Sequence, residues 1–181
     1  RQAMDIRGLG NQLIEQLVDK KIVRDIADLY SLQAETVAGL DRMGVKSANN
    51  LITSLDESKK RPLWKVIYGM GIPEVGEHAG VVLAEHFDSV YELVGAGLEE
   101  LCDIHEIGPV MAESIVAFFR LPISRDLLRK LEHAGVDLAH KPVRQTDSSA
   151  PLSGKVCVLT GTLRGYSRSE AKHLITRLGG T

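Results

Sequence analysis

IRGLGNQLIEQL (residues 6–17), LDRMGVKSANNL (40–51), IPEVGEHAGVVL (72–83) and IHEIGPVMAESI (104–115) are four versions of one phrase. When Gly10, Gly44, Gly76 and Gly108 are aligned, the steps between them are 34, 32 and 32 residues. Four residues before each glycine stands an apolar side chain (Ile6, Leu40, Ile72, Ile104), and another directly precedes it (Leu9, Met43, Val75, Ile107). A small or apolar residue follows at plus four (Ile14, Ala48, Gly80, Ala112) and a larger aliphatic at plus seven (Leu17, Leu51, Leu83, Ile115). A repeat of this period decides the architecture before any local feature does. Each copy reads as a turn feeding a helix, with plus four and plus seven on one face. The aligned glycine is expected to supply the positive φ of the turn and to leave its amide unshielded.

A helix start carries unpaired N–H groups and the positive end of the helix dipole, so each turn is a candidate anion site. Four such sites at regular spacing suit a regular anion, and a nucleic-acid backbone is one. The plain alternative is a helical repeat whose glycines serve only as caps and turns. The phrase resembles the helix-hairpin-helix motif, hydrophobic–x–x–hydrophobic–Gly followed by a helix. That resemblance implies duplex DNA binding without regard to sequence, with the hairpin amides on phosphates.

Composition sets outer limits. The chain has 181 residues, 25% charged and 44% hydrophobic, as expected of a globular protein. No apolar run approaches the roughly 20 residues of a membrane helix. No secretory signal is visible, and the opening RQAMDIRG reads as an interior cut. Cys102 and Cys157 stand apart without a CxxC, which indicates neither zinc ligation nor a disulfide framework. An intracellular, cytoplasmic protein is the expectation. The net charge of −2 divides unevenly: +2 over residues 1–65, −9 over 66–140 and +5 over 141–181. A DNA binder shows a basic face, and here only the ends supply one.

Residues 1–138 read as all-α, with helices expected at 11–20, 25–32, 47–55, 63–70, 77–86, 109–119 and 124–133. Ser31 or Thr36 is a possible cap, 89–94 a spacer, and the basic run 57–62 a solvated connector closed by Pro62. Trp64 is expected to pack rather than stack on a base. Residues 139–151, AHKPVRQTDSSAP, lose the periodicity and read as a flexible linker. Then the class changes. KVCVLTG (155–161) suggests a buried strand. A helix is expected from Ser167, boxed by Glu170 and striped by Ala171, Leu174, Ile175 and Leu178.

Residues 152–181 resemble the first strand and helix of a BRCT domain. The fold class expected is therefore mainly all-α: four tandem helix-hairpin-helix repeats in two pseudo-symmetric pairs, followed by a truncated α/β BRCT fragment. The domains expected are 1–138, the linker 139–151 and 152–181. This order, with the wording RQAMDIRGLG, LDRMGVKSANNL and GIPEVGEHAG, resembles the carboxy-terminal part of bacterial NAD-dependent DNA ligases. The resemblance implies a parent that takes AMP from NAD onto a lysine, passes it to a 5′-phosphate at a nick and seals the nick. NAD, a divalent metal such as Mg and a four-cysteine Zn module belong to that implied parent. The sequence here contains no KxDG, the motif of the adenylated lysine. No cofactor and no catalytic residue are therefore expected in these residues, and the chain is expected to be inactive alone. The partners expected are double-stranded DNA, nicked by implication, and other domains of the parent.

The DNA-binding candidates are Gly8, Leu9, Gly10 and Gln12 in the first hairpin, and Arg42, Gly44, Lys46 and Ser47 in the second. Gly76 and His78 follow in the third, and Gly108 in the fourth. At minus two, Gly8 is followed by Arg42, Glu74 and Glu106 in the later copies; at plus two stand Gln12, Lys46, His78 and Val110. Hairpins 1 and 2 are thus expected to hold phosphate better than 3 and 4, which place a carboxylate beside it. Gly95 and Gly97 lack the strand and third glycine of a dinucleotide loop. The loop 160–162 could hold one phosphate at a helix start but reads rather as a structural turn, and the six histidines show no metal-binding spacing. Two other functions fit the same sequence: a helical scaffold docking proteins through a BRCT unit, and a module of a repair nuclease or junction-binding protein.

Overall fold

The computed structural model describes residues 3–139 together with 152, 155–158, 171, 174, 175 and 178. The chain divides into two compact units, Arg1–His140 and Lys141–Thr181.

The first unit runs α1 (Asn11–Asp19), a 3₁₀ helix (Ala27–Ser31), α2 (Ala34–Ala38), α3 (Val45–Ser58), α4 (Leu63–Gly69), α5 (Glu77–His86), α6 (Val90–Gly95), α7 (Leu98–Cys102), α8 (Pro109–Arg120) and α9 (Pro122–His133). In each hairpin the second helix begins at the residue after the aligned glycine. The plus-seven residues Leu17, Leu51, Leu83 and Ile115 are each 0% exposed, so the repeat is a packing pattern first. The minus-four residues Ile6, Leu40, Ile72 and Ile104 are buried as well. At plus four Ala48, Gly80 and Ala112 are buried, but Ile14 is exposed.

The hairpins pair their helices: α2 packs on α3, α4 on α5 and α7 on α8. Gly80 shows why a small residue is needed at one such contact. A Cβ there would stand 3.0 Å from the Trp64 carbonyl and 3.4 Å from Tyr68 Cβ, so α4 and α5 approach backbone to backbone. Trp64 is buried in this core, as a packing residue.

Two apolar cores result, one built on residues 6–55 and one on 63–138 with Ala27. Met4 and Tyr30 pack against both. The Tyr30 hydroxyl lies 3.1 Å from Ser58 Oγ. A polar clasp adds to this joint. Asp25 Oδ1 accepts the Ala27 and Asp28 amides, and Asp28 Oδ2 accepts those of Arg24 and Asp25. Lys130 of α9 then donates to Asp25 at 2.7 Å and to Asp28 at 3.3 Å. Burial would raise the Asp28 pKa, but the Arg24 and Asp25 amides and the Lys130 ammonium outweigh it and hold the carboxyl below its usual range. Its two carboxylate partners push Lys130 above the usual lysine value.

Several expectations are corrected. Residues 25–32 form only a five-residue 3₁₀ helix, because the reciprocal Asp25 and Asp28 bonds close a tight turn at its start. Neither Ser31 nor Thr36 caps the next helix. Gln33 takes that place without a side-chain bond, and Thr36 lies inside α2. The spacer 89–94 is the helix α6: Ser89 Oγ accepts the Glu92 amide at 3.1 Å, and Glu92 Oε2 accepts the Asp88 amide at 2.8 Å. The basic run 57–62 is partly neutralised, with Lys59 on Asp56 at 2.7 Å and Arg61 on Asp5 at 3.2 Å.

In the second unit the Leu152 amide donates to the Leu178 carbonyl at 2.9 Å. Ala171, Leu174 and Ile175 are helical, and with Leu178 they are half-buried, as the expected stripe requires. Residues 155–158 do not form the expected buried strand. Val156 and Val158 are each 81% exposed, and among the described residues no neighbouring strand offers the ladder that a strand needs. The loop 160–162, the box at 167–170 and all but the first residue of the linker 139–151 lie outside the described residues, and with them most of the BRCT resemblance.

Candidate nucleic-acid interface

The four hairpin tips share one backbone form, which differs from the expectation in an instructive way. The aligned glycines are extended N-caps: φ is −94° at Gly10, −110° at Gly44, −82° at Gly76 and −81° at Gly108. The left-handed turn lies two residues earlier, at Gly8 (φ 86°), Arg42 (62°), Glu74 (65°) and Glu106 (76°). Any residue can adopt the extended caps, so φ does not explain why all four are glycine. Crowding does not explain it either, because a Cβ at each of the four would meet nothing within 4 Å. The fold leaves open space in front of every cap.

The same ends are left uncapped. None of the four has a side-chain cap bond, so first-turn amides of α1, α3, α5 and α8 face outward. The four share this with α2, α4, α7 and α9; among the described α-helices only α6 has a side-chain cap, from Ser89. The fourth tip is the poorest, since its first helical residue is Pro109, which has no N–H to give.

The tips are joined in pairs by contacts at matching offsets from their glycines. In the first pair Gln16, six residues past Gly10, brackets the Asp41 backbone: its Oε1 accepts the Asp41 amide at 2.9 Å and its Nε2 donates to the carbonyl at 3.3 Å. In the second pair Ser114, six past Gly108, donates to the Pro73 carbonyl at 2.7 Å. Asp41 and Pro73 both lie three before their glycines. Across each pair, minus two of the later hairpin also touches plus two of the earlier one. Arg42 Nη1 lies 3.5 Å from Gln12 Oε1, and Glu106 Oε2 pairs with His78 Nε2.

All the sequence candidates lie at these tips. Gly8, Gln12, Arg42, Gly44, Lys46, Ser47, Gly76, His78 and Gly108 are exposed, and Leu9 and Gly10 are half-buried. The structure brings Gln12 beside Arg42, and places His78 on Glu106 of the fourth hairpin. Gln16 and Ser114 were missed; both sit at plus six, and only the pairing of hairpins gives that offset a role. Val45 and Val110 are exposed apolar residues at the tips, 71% and 70% respectively. Among the described residues no group of three or more His, Cys, Asp or Glu could hold a metal ion. No helix among them is long and apolar enough to cross a membrane.

Paired turns, uncapped helix ends and alternating packing helices define a tandem helix-hairpin-helix domain. Residues 1–57 match the family described as SAM-like helix-hairpin-helix tandem, and 65–128 match the helix-hairpin-helix motif. The whole chain is similar to proteins named DNA ligase. It is 47% identical to that of Anoxybacillus flavithermus, 48% to that of Pelotomaculum thermopropionicum and 44% to that of Saccharophagus degradans, over 99% of its own length in each case. It spans about a quarter of these relatives, 26–27% of their length. The chain is a tandem helix-hairpin-helix region, similar over its whole length to this part of bacterial DNA ligases.

Proposed function

We propose that the first unit holds duplex DNA by its phosphates, without reading bases, as the gripping part of an NAD-dependent ligase that seals nicks in the bacterial cytoplasm. One observation carries this reading. Four extended glycines face open space where neither φ nor packing asks for glycine. A phosphate closing on bare amides asks for it, because a Cβ would stand in its path. Lys46 and Arg42 supply cations at the second tip, where they position the backbone without specifying sequence. The relatives' name supports the link to strand joining.

The reaction itself needs groups that these residues do not fit. The sequence has no KxDG to take AMP, and the described residues offer no metal cluster. Labelled NAD and a metal ion should therefore leave the chain unlabelled, and a covalent AMP adduct would overturn that assignment. The binding reading is tested by fluorescence anisotropy with nicked, intact and single-stranded DNA at two salt concentrations. Duplex binding that falls steeply with salt and is indifferent to base sequence is expected. A preference above about tenfold, roughly 1.4 kcal/mol, for one duplex sequence would overturn it.

A further inference from the structure

We propose that the Glu106 carboxylate is an internal substitute for a backbone phosphate, closing the second pair of hairpins to DNA until a phosphate displaces it. The inference rests on the DNA-binding reading above. Because the two pairs are built alike, their equivalent contacts can be compared directly. In the first pair the minus-two residue is Arg42, whose guanidinium reaches the uncharged Gln12 amide and keeps its charge available. In the second pair the minus-two residue is Glu106, and its carboxylate sits on His78 Nε2. His78 occupies plus two, the place that Lys46 holds in the second hairpin, where the DNA-binding reading sets a cation against phosphate. A carboxylate is an anion with two acceptor oxygens and takes up such a donor as phosphate would. The other oxygen, Oε1, lies 3.8 Å from His105 Nδ1, so the carboxylate lies between two imidazoles.

The turn does not itself demand this residue. Gly8 makes the same left-handed turn in the first hairpin, and Glu106 makes it at φ 76° with a side chain that the region disfavours. Glu74 provides an internal comparison. It has the same turn position and charge, at φ 65°, but pairs with no cation among the described residues. Charge alone makes the two glutamates equivalent, whereas the contact with His78 distinguishes them.

The experiment uses the full 181-residue chain and a labelled intact duplex at low salt. Glu106→Gln keeps the shape and the turn while removing the charge, and circular dichroism checks the fold. It should tighten binding about fivefold or more, and Glu74→Gln less than about twofold. In a His78→Ala background the gain from Glu106→Gln should shrink to that of Glu74→Gln. Equal gains from the two single variants, or none from Glu106→Gln, would overturn the proposal and leave the DNA reading standing. Failure of the unaltered chain to bind any duplex would instead remove the DNA reading, and this proposal with it. A second readout needs no DNA: inorganic phosphate should move the His78 ring resonances in Glu106→Gln well below the concentration needed in the unaltered chain. The same titration in both would also overturn it.

Discussion

Gly44→Ala separates what the fold needs from what a ligand needs. At φ −110° and ψ 169° an alanine is unstrained, and its methyl meets nothing within 4 Å. Two small effects on stability oppose each other. Alanine restricts the unfolded chain, worth about 0.4–1 kcal/mol, but it is a poorer N-cap than glycine by a comparable amount. Net stability should stay within about 0.5 kcal/mol, by urea unfolding. Binding is another matter. The methyl projects into the space that a phosphate must enter to reach the first-turn amides of α3. Hydrogen bonds to a charged acceptor are worth about 1.5–3 kcal/mol each. Losing one, or lengthening two, should weaken duplex affinity about thirtyfold, roughly 2 kcal/mol, by anisotropy. Gly108→Ala should cost much less, because Pro109 already removes a donor there and Glu106 opposes the anion. The reasoning fails if Gly44→Ala binds within about twofold of the unaltered chain, or if it loses binding only by unfolding.

Other outcomes follow from the same geometry. Lys46→Glu should weaken duplex binding about tenfold or more at low salt, while Val110→Glu should change it little, both remaining folded by circular dichroism. Equal losses would mean that all four tips grip alike. Gly80→Ala should destabilise the domain by about 1–3 kcal/mol in urea, since its methyl would press on the Trp64 carbonyl at 3.0 Å. Asp28→Ala strips acceptors from two amides and should cost about 2 kcal/mol in the same assay. The Asp28 pKa is depressed by folding, so its contribution is present above the unfolded value, about 4, and is lost as pH falls through the lower folded value. Lys130 has the opposite sign: its contribution is present below about 10.4 and is lost above the raised folded value. Stability curves of Asp28→Ala and the parent should therefore converge in acid; a constant gap down to pH 2 would contradict the linkage.

The repeat made the architecture legible, because one buried position recurs at a fixed offset from each glycine. α5 was placed to the residue, and α1 and α8 to within one. The short helices were not legible. α2 and α7 have five residues each, too few for a 3.6-residue period to show. Ser89 and Glu92 did announce α6 with a capping pattern, but its six residues read as a spacer. At the tips, glycine was legible and its reason was not. The left-handed residue is a glycine only at Gly8, and Arg42, Glu74 and Glu106 carry no sequence mark of a positive φ. The His78–Glu106 contact joins residues 28 apart and depends on how two hairpins face each other, which no single motif encodes.

The joint between the two cores turns two grips into one instrument. Tyr30 packed on both sides, the Ser58 hydroxyl and the Lys130 clasp hold the hairpin pairs in one compact body. On the proposed reading, once the first pair has closed on a backbone, the second meets its phosphates as a tethered neighbour at high effective concentration, with little freedom left to lose. Two modest contacts can then add up to a firm hold with no further contact to DNA. Cutting the clasp, far from any tip, should accordingly release a duplex faster while each tip remains intact, because avidity resides in the hinge that does not move.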